Sequence, residues 1–350
     1  MRFIQLFFAS ALVASLIYYA CVLMLIDAPI AAEYWIAELI TVKRELAKEY
    51  AGKNKIIVAG GSSTLFSVNA EYASEKLDMP MINYGLHAGL SLRKILQEAS
   101  SIVEPGDLLI LMLEPSYYEC NEKLNIWNVE NIIGWDHAAW EEMDYLGKTE
   151  FIFLVSPSVF SRMVVAAFQR KFFPAKVKDR IATLDKSLVL SRFKARPRPL
   201  NFEYSAYHLD NHGDMLRAEG EQIEGPGSDV SKPNHICAGT ANQLINFVGA
   251  MKMKGVHIYF ANTPYIASGV SMEKVKRDEL NFQKEFITVG CFIDRREDLI
   301  FDRRYFFNSN LHLNTEGRAV RTDLLIDAIR NMPSGNCQHL PLHSQENSAV

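Results

Sequence analysis

Cysteine is scarce: Cys21, Cys120, Cys237, Cys291 and Cys337 are the only five among 350 residues. That is too few for a disulfide-stapled scaffold, and no two stand at a CxxC spacing that would point to zinc. Charge of one sign is lacking too. A formal net charge of −4 gives no global attraction to nucleic acid. There is no internal repeat, and no Gly-Lys-Ser/Thr follows the glycines at 60 and 61, which excludes a phosphate-binding P-loop. What is present is a chain 49% hydrophobic, 22% charged and 11% aromatic, the profile of a globular protein rather than a disordered or collagen-like one. Its length suits one large α/β domain, or one domain with a sizeable insertion.

One long apolar run exists. Phe3 to Ile26 is 24 residues without a charge, between Arg2 and Asp27. As a helix it reaches about 36 Å, enough to cross a hydrocarbon core of about 30 Å. A cleaved signal has a shorter core and an A-x-A-like site; Pro29 or Ile30 at the −3 position fits that poorly, and Cys21 after Tyr18-Tyr19-Ala20 is a poor lipobox. The expectation is an uncleaved transmembrane signal anchor over 1–26. Arg2 and the terminal amine favour an inside N-terminus, although Lys43 and Arg44 lie beyond the span. The rest of the chain then faces the periplasm or the cell exterior.

A helical linker is predicted over 27–53, with Ile36, Leu39, Ile40, Leu46 and Tyr50 at roughly helical spacing. Ile56 to Ala59, Met79 to Tyr84 and Asp107 to Leu113 read as strands buried on both faces, separated by helices to about Lys76 and over Ser91 to Val103. This alternation predicts an α/β fold with a doubly wound parallel sheet. The pattern lapses between Glu114 and Gly239, the predicted insertion. It resumes with helices over Thr240 to Lys254, Met272 to Thr288 and Thr315 to Arg330, and a strand over Val256 to Ala261. The domain thus covers 54–330, and 331–350 reads as a flexible tail.

Ser62 follows the first strand in Gly60-Gly61-Ser62-Ser63-Thr64, a turn that exposes a hydroxyl beside helix N-terminal amides. The same pattern also fits an ordinary turn with Ser62 or Ser63 as N-cap. His312, in Asn310-Leu311-His312-Leu313-Asn314 just before the last helix, lies 250 residues further on and is the side chain best tuned to activate such a serine.

Gly60-Gly61-Ser62, the stretch Asn83 to Gly89, and His312-Leu313-Asn314 with Gly317 together resemble, in order and placement, three sequence blocks of SGNH/GDSL-type hydrolases. The likeness is greatest to membrane-anchored members of cell-surface polysaccharide loci, among them alginate-acetylation and D-alanyl-transfer proteins. It covers roughly residues 55–113 and 256–330. The resemblance implies a flavodoxin-like SGNH fold without a cofactor or metal. Ser62 would be the nucleophile and His312 the general base, with the amides of Ser62 and Gly89, or Gly85, forming the oxyanion hole. It also implies an acylated or acidic polysaccharide as substrate and a membrane acyltransferase as partner.

Two departures stand out. After the third strand the family places an asparagine, where this chain has Glu114-Pro115-Ser116-Tyr117. The family aspartate before the histidine is replaced by Ser309 and Asn308; Asp302 is the nearest upstream acid. A Ser–His dyad, a triad completed elsewhere and a quiet site all stay open.

Glu114, Thr263, Tyr265, Arg303 and Arg304 are the candidate substrate contacts. Residues 162–198 carry eleven Lys or Arg against Asp179 and Asp185, with Phe168, Phe172 and Phe173 interleaved. That segment fits anionic lipid, an acidic glycan, or a solvated face paired with the acidic stretch Glu203 to Asp229. Tyr207 to Asp214 holds two histidines and two aspartates; it reads as a site-rim loop or structured turn rather than a metal site. Three functions remain: an acyl-ester (foremost acetyl-ester) hydrolase or O-acyltransferase on a surface polysaccharide; a catalytically inactive glycan-binding or assembly component; and a lipid esterase or thioesterase.

Overall fold

Continuous apolar runs flanked by glycine, proline or asparagine set the strands, and the computed structural model places four of them side by side in one parallel sheet. It describes residues 2–120, 124–197, 199–223, 235–266 and 271–332. Arg198 of the basic segment, 224–229 of the acidic stretch, Cys337 and 333–350 of the expected tail lie outside the described residues.

The first elements are α1 (Arg2–Met24), α2 (Tyr34–Lys48), β1 (Ile56–Gly60), α3 (Ser62–Ser67), α4 (Ala70–Leu77), β2 (Met81–Gly85), α5 (Leu92–Ile102) and β3 (Leu108–Met112). A helical stretch follows: α6 (Ile126–Gly134), α7 (His137–Glu141), α8 (Tyr145–Leu154), α9 (Pro157–Phe172), α10 (Lys178–Ala182) and α11 (Lys186–Ala195). The chain continues with α12 (Ala238–Met253), β4 (His257–Phe260), β5 (Tyr265–Ile266), α13 (Met272–Phe286), β6 (Ile300–Phe301) and α14 (Thr315–Arg330).

Two compact units result. One comprises Met1–Val42, Lys123–Arg198 and Tyr204–Tyr207; the other Lys43–Glu122, Pro199–Glu203 and His208–Val350.

In the second unit the strand order is β2-β1-β3-β4, all parallel, with Ile56 opposite both Met81 and Leu108. The order reverses at β1, so the crevice at the carboxyl ends of β1 and β3 is the expected ligand position for such a sheet. Side chains alternate along a strand. Ile56, Val58, Ile110 and Met112 pack with Ala70, Ala73, Leu325 and Ile326, while Ile57, Ala59, Leu109 and Leu111 point to the other face and are equally buried. Burial on both faces explains why the strands read as unbroken apolar runs.

The single helix expected to about Lys76 is two. Asn69 breaks it in an extended conformation, and its side chain accepts the Tyr72 amide at 3.0 Å to start α4. Ser91 caps α5 and Asn314 caps α14 in the same way. A disulfide joins Cys120 to Cys237 across 117 residues.

The first unit is helical. Val22, Ile30, Val129, Ile133, Phe151, Val159 and Met163 belong to its core. The helix α1 is long and apolar enough to cross a membrane, a description a signal sequence also meets. Its Phe3, Phe7, Phe8 and Leu12 are exposed. Among the described residues the region read as irregular is therefore mostly helix, begun by side-chain caps at Asn125, Asp144, Ser156 and Asp185.

Candidate functional site

Ser62 opens α3 directly after β1, because Gly60 and Gly61 let the chain turn within crowded surroundings. A Cβ on Gly60 would fall 2.0 Å from the Met112 carbonyl oxygen, and one on Gly61 2.5 Å from the Glu114 carboxylate. Gly85, at the end of β2, is needed for a similar reason: its Cβ would stand 2.1 Å from the Leu65 nitrogen, so α3 lies directly on β2.

His312 is presented by a tight loop. The Phe307 amide donates to the His312 carbonyl at 2.8 Å and the Asn314 amide to the Tyr305 carbonyl at 2.9 Å. The helix α14 that follows is tied to α3. Arg318 Nε donates to the Phe66 carbonyl at 3.2 Å, and the Asn69 amide donates to Thr322 Oγ1 at 2.9 Å. A buried Arg321–Asp294 pair at 2.6 Å holds the other flank, with Asn262 Nδ2 donating to Asp294 Oδ1 at 3.0 Å.

The result is that the His312 ring stacks on Phe66, centroids 4.2 Å apart and planes 13° from parallel. Phe66 lies four residues after Ser62 on α3, hence on the same helix face. Ser62 and His312 are both buried. Nδ1 of His312 donates to Asn308 Oδ1 at 2.8 Å, which leaves Nε2 as the unprotonated nitrogen of the neutral ring. Burial, reinforced by the nearby His87, pushes His312 down to about 3.

Of the other orienting candidates, neither takes that place. Asp302 accepts the Arg304 amide at 2.9 Å and caps its own short turn. Ser309 shapes the loop, its hydroxyl accepting the Leu311 amide at 3.2 Å.

Both glycines expected in an oxyanion hole have their amides directed at side chains. Gly85 donates to Asn83 Oδ1 at 2.9 Å and Gly89 to His87 Nδ1 at 3.0 Å. Tyr117, in the stretch that replaces the family asparagine, has its hydroxyl between the Ala88 and Leu90 carbonyls at 3.2 and 3.1 Å, where it braces the loop.

Glu114 is not an open substrate contact. Its buried carboxylate accepts the Ser63 amide at 2.7 Å and the Gly61 amide at 3.2 Å, clasping the start of α3 on both sides of Ser62. Desolvation raises it to about 7 despite these donors. Thr263 and Tyr265 are buried, and the Tyr265 hydroxyl donates to the Arg296 carbonyl at 3.0 Å. Arg303 pairs with Glu221 at 2.5 Å and donates to the Ile223 carbonyl, while Arg304 donates to the Tyr305 hydroxyl at 2.9 Å.

A buried polar network beneath β2 escaped the sequence reading. Lys43 Nζ donates to the Asn83 carbonyl at 2.7 Å, and Asn83 Nδ2 donates to Asp214 Oδ1 at 2.9 Å. Asp214 Oδ2 accepts the Ala70 amide at 2.6 Å. Burial drives Lys43 down and Asp214 up, opposing the attraction between them. The loop read as a structured turn is one: Asp210 Oδ1 accepts the amides of His212 at 2.8 Å and Asp214 at 2.9 Å. Among the described residues, Glu71, Asp210 and His212 alone bring three ligand-type atoms within 4.8 Å of one another.

No family model matches the chain, and neither does a curated protein or a solved structure.

Proposed function

We propose that the chain is a membrane-anchored, extracytoplasmic SGNH-like enzyme that cleaves or transfers an acyl group, foremost acetyl, on a cell-surface polysaccharide. The observation that carries this reading is the His312 ring, oriented by Asn308 and laid on Phe66 one turn from Ser62. The reversal of strand order at β1 supports the SGNH part of it. The Cys120–Cys237 disulfide supports an oxidising, extracytoplasmic compartment, and α1 suits an anchor.

In the first step the Ser62 oxygen attacks the acyl carbonyl while Nε2 of His312 takes its proton. Collapse of the tetrahedral adduct breaks the ester C–O bond, and Nε2–H protonates the departing sugar alkoxide. The acyl-serine then passes its acyl group to water, giving hydrolysis, or to a sugar hydroxyl, giving transfer. Asn308 holds the tautomer in which Nε2 is the acceptor. As a neutral group it stabilises the imidazolium less than a carboxylate does.

The second reading is a non-catalytic glycan-binding or assembly component. The low proton affinity of His312 and the engaged amides of Gly85 and Gly89 favour it. Labelling of the full chain by a fluorophosphonate, with turnover of p-nitrophenyl acetate, separates the two. Catalysis requires labelling that is lost in Ser62→Ala and turnover lowered by at least about 10³-fold in His312→Ala. An unlabelled but folded wild type leaves the binding reading. Turnover of long-chain esters alone indicates a lipid esterase.

A further inference from the structure

The geometry points to a second membrane element: the α8–α9 pair, bent by 91° at its turn, lies in the lipid interface beside the end of α1, its exposed apolar face among acyl chains and its basic end among anionic phospholipid headgroups. This rests on reading α1 as an anchor and is independent of the chemistry at Ser62.

Depth is the first argument. Tyr18 donates its hydroxyl to the Val155 carbonyl in the turn between α8 and α9, and its ring packs on Phe160. Tyr18 lies six residues before the end of α1, about 9 Å down the helix axis. The polar zone on each side of a bilayer is only about 6 Å thick. A spanning α1 therefore carries the turn at Val155 to the level of the acyl chains.

The turn is equipped for that depth, where unpaired backbone groups are costly. The Val155 amide donates to the Phe151 carbonyl at 3.1 Å, and Tyr18 satisfies the Val155 carbonyl. Pro157 has no amide hydrogen. The Val159 amide donates to Ser156 Oγ at 3.3 Å, and the Phe160 amide to the Ser156 carbonyl at 2.9 Å.

The surface fits the same placement. Val164, Phe168 and Phe172 recur every four residues along α9 and are each about half exposed, at 45%, 53% and 57%; Phe153 on α8 is 85% exposed. An apolar stripe of this kind is unusual against water and ordinary against lipid. From the turn, α9 climbs to Arg170, whose guanidinium meets Asp27 at 3.0 Å just beyond the end of α1. Lys171 lies over the Phe172 ring and Lys176 over Phe173, so the cations gather at the level where the span ends. Apolar residues deep and cations at the rim is the arrangement an anionic bilayer surface recruits.

The full chain in a Cys21→Ser background, reconstituted in phosphatidylcholine/phosphatidylglycerol vesicles, tests this with a polarity-sensitive fluorophore at Leu12→Cys, Phe168→Cys or Lys178→Cys. Labels at Leu12→Cys and Phe168→Cys are expected to shift blue and lose intensity to an acyl-chain nitroxide; the label at Lys178→Cys responds only to a headgroup nitroxide. A Phe168→Cys label quenched by aqueous iodide while the Leu12→Cys label is in lipid overturns the inference and spares the anchor. Both labels in water overturn the anchor reading and this one with it. The triple variant Lys171→Glu, Lys176→Glu, Lys178→Glu should shift the Phe168→Cys label toward water only when phosphatidylglycerol is present. If the triple variant instead loses retention on alginate, with the label unchanged in either vesicle, the basic rim belongs to an acidic glycan and its assignment to lipid fails.

Discussion

Asn308 Oδ1 accepts the Nδ1 proton of His312 at 2.8 Å, so an uncharged amide fixes the tautomer of a buried imidazole. Geometry and electrostatics are separated here: the ring is oriented by a neutral amide, which supports its protonated form less than a carboxylate would.

Restoring the anion should therefore strengthen the base. In Asn308→Asp the His312 pKa is expected to rise, and ester turnover to increase by about 10²-fold or more, by the logic that an amide in place of a triad aspartate costs about 10⁴. Imidazole titration by NMR and the kcat/KM profile of the variant check this. A raised pKa without faster turnover would argue against His312 as the base.

Glu114 and His312 set opposite pH dependences. Glu114 is raised from its ordinary 4.5 to about 7, so its contribution to stability is complete below 4.5 and lost as pH rises to 7, about 3 kcal/mol in all. His312 is depressed from 6.5 to about 3, so its contribution is complete above 6.5 and lost as pH falls toward 3. The two partly cancel between 4.5 and 6.5. Asp214, also raised by burial, titrates in the same range with the sign of Glu114. Glu114→Gln should therefore remove only the Glu114 share, seen as a Tm that falls less or climbs more with pH than that of wild type. For catalysis, neutral His312 keeps kcat/KM from falling near pH 6.5, whereas ionised Glu114 beside the Ser62 amide lowers it above about 7. Glu114→Gln should remove this upper limb. An unchanged profile would separate Glu114 from the oxyanion.

Lys43 carries a stability prediction. Lys43→Met removes one of the two buried cations that face Asp214 and Asp210, leaving only Arg318, and takes the lysine donor from the Asn83 carbonyl. A loss of about 3 kcal/mol or more is expected in denaturant unfolding. A variant as stable as wild type would mean that Lys43 is not held where the structure puts it.

The parallel sheet was legible because two-sided burial leaves a sequence signature, and the starts of α5 and α14 because Ser91 and Asn314 are capping residues. The proposal that Ser62 and His312 act together came only through resemblance; nothing local to either names the other. Phe66 had no signal of its own, since an aromatic on a helix reads as core until its neighbour is known. Lys43 was read as a charge flanking the apolar span, yet it is fully buried, and its partners Asn83 and Asp214 come from distant parts of the chain. Glu114 looked like a site residue for its position after β3. Its contact with the Gly61 and Ser63 amides depends on how closely β1 and β3 lie, which only folding decides.

The bond between Cys120 and Cys237 turns everything between them into a covalent hoop. A nick anywhere along that hoop severs the backbone without releasing a fragment, and strand β3 stays fastened to the start of α12 whatever happens to the helices threaded between. Cleavage among those helices is thereby uncoupled from the continuity of the chain that builds the sheet.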